Sequence, residues 1–204
     1  MITNLPNLLT LSRIAVIPLV IACFYLPQPW ASWLSFALFA AAGITDWLDG
    51  WVARRWGQVS AFGRFLDPIA DKLLVSIALM MLVAVGRLPM PVLLPALVIL
   101  AREIMVSGLR EFLATLRLRI PVSRLAKWKT AIQMGAIGCL LVGDEGPAAL
   151  PVTAIGQGML WAAAILTLIT GYDYLRAGLI HMSAHDAPGA TAPANAAEAM
   201  REVG

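Results

Sequence analysis

Charge is scarce in this chain: only 13% of its 204 residues are Asp, Glu, Lys or Arg, against about 25% in an average soluble domain. Histidine and cysteine are scarcer still, at two residues each. Each shortage excludes something. So few charges cannot coat a soluble globule of this length, and they do not suit a disordered chain either. Cys23 and Cys139 both lie in apolar stretches, where buried free thiols are expected rather than a disulfide framework. His181 and His185 fall near the end of the chain, so no Ser–His or Cys–His nucleophile pair is on offer. What is abundant is apolar: 60% of residues are hydrophobic, and the mean hydropathy is +0.79. The class these numbers predict is an all-α integral membrane protein.

A membrane helix needs about 20 mostly apolar residues. Six such segments are predicted, near 7–26, 30–54, 61–85, 91–116, 124–143 and 153–180. They are separated by Pro- or Gly-bearing connections such as Gly143-Asp-Glu-Gly-Pro147. No cleavable leader is expected, because the first apolar run follows Pro6 with no basic region before it. Residues 1–182 read as one six-helix membrane domain, and 183–204, rich in Ala, Pro and Gly, as a disordered tail. The net charge of +3 is explained by topology, and no nucleic-acid partner is expected. Arg54, Arg55 and Arg64 flank one connection, and Arg117, Arg119, Arg124, Lys127 and Lys129 another, while the alternate connections hold only Arg87. By the positive-inside rule, the basic side and both termini face the cytosol.

Charged residues inside a membrane span cost about 2.5–3.5 kcal/mol each on insertion scales and point to function. Here Arg13, Asp46, Asp49, Asp67, Asp71, Lys72, Arg102, Glu103 and Arg110 all fall in the cytosolic halves of their helices. Six helices enclosing one polar cavity open to the cytosol is the predicted architecture. Asp46 and Asp49 are i, i+3 and Asp67 and Asp71 are i, i+4, so each pair shares a helix face. Four ionised carboxylates in a low-dielectric pocket repel one another, and one or two divalent cations remove the conflict. An all-oxygen ligand set favours a hard ion, Mg²⁺ or Mn²⁺ (with Ca²⁺ as an option) over zinc. Gly50 and Gly63 lie where a ligand can approach the backbone closely, and Arg54, one turn past Gly50, can meet an anion.

Together these residues spell D-x2-D-G-x2-A-R-x8-G-x3-D-x3-D, from Asp46, Asp49, Gly50, Ala53 and Arg54 to Gly63, Asp67 and Asp71. This pattern resembles the signature of the CDP-alcohol phosphotransferase family at all eight positions, and the likeness extends over roughly residues 4–180. The resemblance implies a membrane enzyme, usually homodimeric, acting on a CDP-linked lipid. It implies that Asp46, Asp49 and Asp67 hold one metal and Asp46, Asp67 and Asp71 the second, with Asp71 also the general base. Gly50, Ala53, Arg54 and Gly63 would line the cytidine and diphosphate site, with Asn7 beside them. Pro6-Asn-Leu-Leu-Thr-Leu-Ser-Arg13, Ala101-Arg-Glu-Ile104, Gly108-Leu-Arg-Glu-Phe112 and Ala126-Lys-Trp-Lys-Thr130 resemble the bacterial members that transfer a phosphatidyl group from CDP-diacylglycerol to glycerol 3-phosphate, releasing CMP at the inner membrane.

An anionic acceptor suits the second basic patch. Arg110, Lys127, Lys129 and Arg102 are the candidate ligands of its phosphate, although a straight helix cannot aim Lys127 and Lys129 at one point. Arg102 and Glu103 also read as an ion pair in the cavity wall. Thr10 and Arg13 recur at one-turn spacing with Asn7 and can reach the cavity, while Asn7 can equally cap the first helix. Tyr172, Asp173, Tyr174 and Arg176 read as an interfacial belt. Other acceptors (phosphatidylglycerol, an inositol phosphate, serine) stay open. Two other classes fit less well. A membrane prenyltransferase places its Asp motifs on distant helix pairs, and a metal or proton transporter shows polar residues on both sides of the midplane.

Overall fold

The computed structural model describes residues 5–56, 61–115 and 124–185, and among them every long element is an α-helix, with no strand. The helices are α1 (Leu5–Cys23), α2 (Trp30–Trp56), α3 (Ala61–Ala84), α4 (Met90–Thr115), α5 (Arg124–Val142) and α6 (Val152–His185). They stand where the six apolar segments are read. A short 3₁₀ turn, Gly143–Glu145, joins α5 to the last connection. The final helix runs to His185, and the residues beyond it lie outside those described.

Neighbouring helices close into a ring. In that ring α1 packs against α2 and α3, α4 against α3 and α6, and α5 against α6 and α2. Although α2 and α3 are consecutive, they touch each other little, because α1 fills the space between them. The two helices are therefore splayed, and Asp46 of α2 and Asp67 of α3 are bridged by residues of a third helix. Inside the ring, Leu74, Leu79, Leu82, Ile99, Ile137, Leu140 and Leu160 form a continuous buried core. Among the described residues, two helices, Met90–Thr115 and the Val152–Arg176 part of α6, are long and apolar enough to cross a membrane, and Leu8–Cys23 is a shorter apolar helix.

Without a hydrophobic drive between helices in lipid, close backbone approach through small residues holds such bundles together. On α6, Gly156 lies against α5 so closely that a Cβ there would stand 2.9 Å from Leu140 Cγ, 3.0 Å from Cys139 Cβ and 3.2 Å from the Ala136 carbonyl oxygen. At the end of the ring away from the charged helix halves, Arg87 forms a cross-link. Its guanidinium donates to Ser32 Oγ at 2.6 Å, to the Leu140 carbonyl at 3.1 Å and to the Leu141 carbonyl, ending α5 with a side chain from the α3–α4 connection. Burial pushes the Arg87 guanidinium below its ordinary range, and the nearby Asp144 and Glu145 pull it back up. Gly143, at φ 58°, leaves room for this arginine, since a Cβ there would lie 3.1 Å from its Cζ.

Candidate active site

The wedge helix α1 holds the acidic side of the site. Thr10 and Arg13 are three residues apart and share one face, and both are almost fully buried. Arg13 Nη1 pairs with Asp46 Oδ1 of α2 at 2.6 Å, and Thr10 Oγ1 donates to Asp67 Oδ1 of α3 at 2.6 Å. One helix face thus fixes a carboxylate on each flanking helix. Both residues, read from the sequence as cavity candidates, sit directly behind the carboxylates of Asp46 and Asp67.

Asp46, Asp67 and Asp71 line one cleft of about 340 Å³. Arg102, Arg110 and Lys129 line the same cleft from α4 and α5, with Tyr174 from α6. Five helices therefore deliver charged or polar groups to one space, because alternate helices run in opposite directions and each carries its charges in the same half of the ring. The carboxylate of Asp46 keeps 46% of its side-chain surface exposed. Among the described residues, no three Asp, Glu, His or Cys side chains stand close enough to form a ready metal cluster. The donor set is nonetheless all oxygen on the acidic side, which fits a hard divalent cation. The side chains of Asp49, Gly50, Ala53, Arg54 and Asn7 lie outside those described, while Gly63 is buried at the start of α3.

The basic side is organised around Glu103. Its carboxylate accepts from Lys129 Nζ, and Arg102 Nη1 lies 3.5 Å away. Arg102 Nη2 also donates to Thr170 Oγ1 at 3.0 Å, and its stem crosses Gly171, where a Cβ would stand 3.1 Å from Arg102 Cγ. The Arg102–Glu103 ion pair read from the sequence is present. Lys127 and Lys129 separate: Lys129 is buried against Glu103, whereas Lys127 is exposed and lines an adjoining cavity of about 780 Å³ with Arg13, Asp46 and Asp71. That cavity shares Gly43 and Met134 with an apolar groove of about 640 Å³ between α2 and α5, walled by Trp33, Phe36, Phe39 and Gly138.

One residue is corrected. Tyr174, read as part of an interfacial belt, is 5% exposed and lines the cleft, while its neighbours Tyr172, Asp173 and Arg176 are exposed. The signal was in the sequence: Thr167, Thr170 and Tyr174 follow one another at spacings of three and four, a polar stripe on an otherwise apolar helix. Gln133, one turn after Lys129, is likewise buried.

Residues 3–169 match the family described as CDP-alcohol phosphatidyltransferase, and the chain belongs to that family of transferase enzymes. Members of the family generally depend on a divalent metal, and the apolar helices together with the family are those of a membrane protein. Among relatives, a protein of Rickettsia bellii is 49% identical over 174 residues, covering 85% of this chain and 94% of its own length. One of Pectobacterium atrosepticum is 45% identical over 176 residues, covering 85% and 94%, and one of Cereibacter sphaeroides is 39% identical over 214 residues, covering 88% and 97%. All three carry the name CDP-diacylglycerol–glycerol-3-phosphate 3-phosphatidyltransferase.

Proposed function

We propose that this protein transfers the phosphatidyl group of CDP-diacylglycerol to glycerol 3-phosphate, releasing CMP and forming phosphatidylglycerophosphate. The observation that carries the reading is one cleft with three carboxylates on one side and Arg110, Arg102 and Lys129 on the other. A diphosphate donor and a phosphorylated acceptor are both anions, and the cleft offers a separate place for each. The names of the relatives support the same pair of substrates.

Asp46, Asp49, Asp67 and Asp71 are the residues to hold Mg²⁺ or Mn²⁺, two ions in our reading, whose chemistry is to offset the charge of the diphosphate and of the departing CMP. The remaining work belongs to the chain. Thr10 and Arg13 keep Asp67 and Asp46 in place. Asp71 takes the proton of the acceptor's hydroxyl as that oxygen attacks the phosphorus bonded to diacylglycerol. The bond from this phosphorus to the oxygen of CMP breaks, CMP leaves with the electron pair, and Asp71 later gives its proton to solvent. Arg110, with Lys127 and Lys129 nearby, receives the acceptor's phosphate. Asn7, Gly50, Ala53, Arg54 and Gly63 receive the cytidine and diphosphate, as the family resemblance implies. The apolar groove that continues from the site, between α2 and α5, suits an acyl chain.

All six helices span the bacterial inner membrane in this reading, with the cleft and both termini on the cytosolic side. Support comes from the one-sided placement of charge: the core between the cleft and the Arg87 cross-link is apolar. Residues 1–182 form the catalytic domain and 183–204 the cytosolic tail, and a homodimer is the assembly the family resemblance implies. The test is CMP release by purified protein given CDP-diacylglycerol, Mg²⁺ or Mn²⁺, and one acceptor at a time. Release with glycerol 3-phosphate alone supports the proposal. Release only with phosphatidylglycerol, an inositol phosphate or serine moves the acceptor, and no release with any acceptor overturns the reading.

A further inference from the structure

The cations of the cleft are not equivalent. Lys129 and Arg102 are both taken up by Glu103, and Arg102 is further held by Thr170. Arg110 is exposed and has no carboxylate within ion-pair distance among the described residues. Its contact is the ring of Tyr174, with Cζ 5.5 Å from the centroid, and Arg102 Cζ lies 5.8 Å from the same ring. Both distances are within cation–π range, so one aromatic ring meets two guanidinium groups of like charge. With Arg102 taken up by Glu103, Arg110 beside the ring is the guanidinium left to meet an anion in the cleft.

The hydroxyl of Tyr174 adds a second, independent observation. The residue is 5% exposed, and its oxygen is buried with no hydrogen-bond partner among the described residues. A buried hydroxyl left unmet is costly, and native structures keep few of them. Phenylalanine offers the same shape and the same π face without that cost. An unmet hydroxyl on a residue that lines the cleft is a donor held for a ligand.

We propose that Tyr174 determines acceptor specificity: its ring holds Arg110 toward the cleft, and its hydroxyl donates a hydrogen bond to the phosphate of a phosphorylated alcohol. This inference rests on the function proposed above and adds a residue of α6 to it. A hydrogen bond to a charged group is worth roughly a tenfold to a hundredfold change in binding.

The test is CMP release by the full-length purified protein, varying glycerol 3-phosphate at saturating CDP-diacylglycerol and then the reverse. Tyr174→Phe is expected to raise the KM for glycerol 3-phosphate about tenfold. The KM for CDP-diacylglycerol should stay unchanged, and the melting temperature unchanged or higher, since an unmet buried group is removed. Tyr174→Leu, which also removes the ring, is expected to raise the acceptor KM further. An acceptor KM within about twofold of the unaltered protein in Tyr174→Phe overturns the proposal. So does an equal rise in both KM values with a lower melting temperature, which marks a structural role. Should Tyr174→Leu not fold, Tyr174→Phe decides alone, because it deletes one oxygen atom. Failure of the underlying reading is seen separately, as absent CMP release with glycerol 3-phosphate in the unaltered protein.

Discussion

Arg13 Nη1 stands 2.6 Å from Asp46 Oδ1, with the arginine 1% exposed and the carboxylate 46% exposed. The pair is therefore half in the protein and half in the cleft: the cation is structural and the anion is available. Arg13→Met removes the anchor and leaves Asp46 free to hydrate and move. Breaking a fully buried pair costs about 3–5 kcal/mol, and the exposure of Asp46 brings the expected loss to about 1–3 kcal/mol. Turnover should fall at least about tenfold, because Asp46 is no longer held where the donor binds. A melting curve and a CMP-release assay on the same preparation check both halves.

Thr10 orients Asp67 as Arg13 orients Asp46, through a hydroxyl that donates at 2.6 Å. Thr10→Val keeps the shape and deletes the donor. Partners behind metal ligands are typically worth 10–100-fold in metal affinity. The Mg²⁺ concentration for half-maximal activity is therefore expected to rise about tenfold in Thr10→Val and to recover in Thr10→Ser. An unchanged metal dependence in Thr10→Val would remove Thr10 from the site.

Two glycines of α6 separate packing from propensity. A Cβ on Gly156 meets α5 side chains at 2.9 and 3.0 Å, whereas one on Gly158 meets nothing within 4 Å. Gly156→Ala is expected to destabilise by about 1–3 kcal/mol through overpacking. Gly158→Ala should be neutral or stabilising, by up to about 1 kcal/mol, since alanine is the better helix former. Thermal melts of the two variants in one detergent compare them directly.

The element pattern of this chain was legible because its signals are local. Six apolar runs bounded by Pro and Gly give six helices, and the eight-position motif identifies the family from residues 46–71 alone. What periodicity could not give is lateral order. Nothing in the spacing of Asp49 and Asp67 says that α1 inserts between their helices, so the sequence alone does not assign roles to Thr10 and Arg13. Tyr174 was misread for a related reason: next to exposed Tyr172 and Asp173 it looks interfacial, and only packing against α4 turns it inward beside Arg102 and Arg110. A straight helix keeps Lys127 and Lys129 from sharing one point, but which of them enters the cleft depends on Glu103, twenty-six residues away.

Arg110 carries the acceptor side of the account. Arg110→Ala is expected to raise the KM for glycerol 3-phosphate by ten- to a hundredfold while changing that for CDP-diacylglycerol little, because a charge-assisted contact to one substrate is lost. Equal effects on both substrates would place the acceptor elsewhere in the cleft.

The central claim is that the carboxylates of this cleft perform the transfer with Asp71 as the base. Asp71→Asn tests it in one measurement: CMP release at saturating CDP-diacylglycerol, glycerol 3-phosphate and Mg²⁺, alongside binding of labelled CDP-diacylglycerol to the same sample. General-base catalysis contributes about 10²–10⁴-fold, so turnover is expected to fall by that factor or more while the donor still binds. Turnover within a few-fold of the unaltered protein would contradict the account.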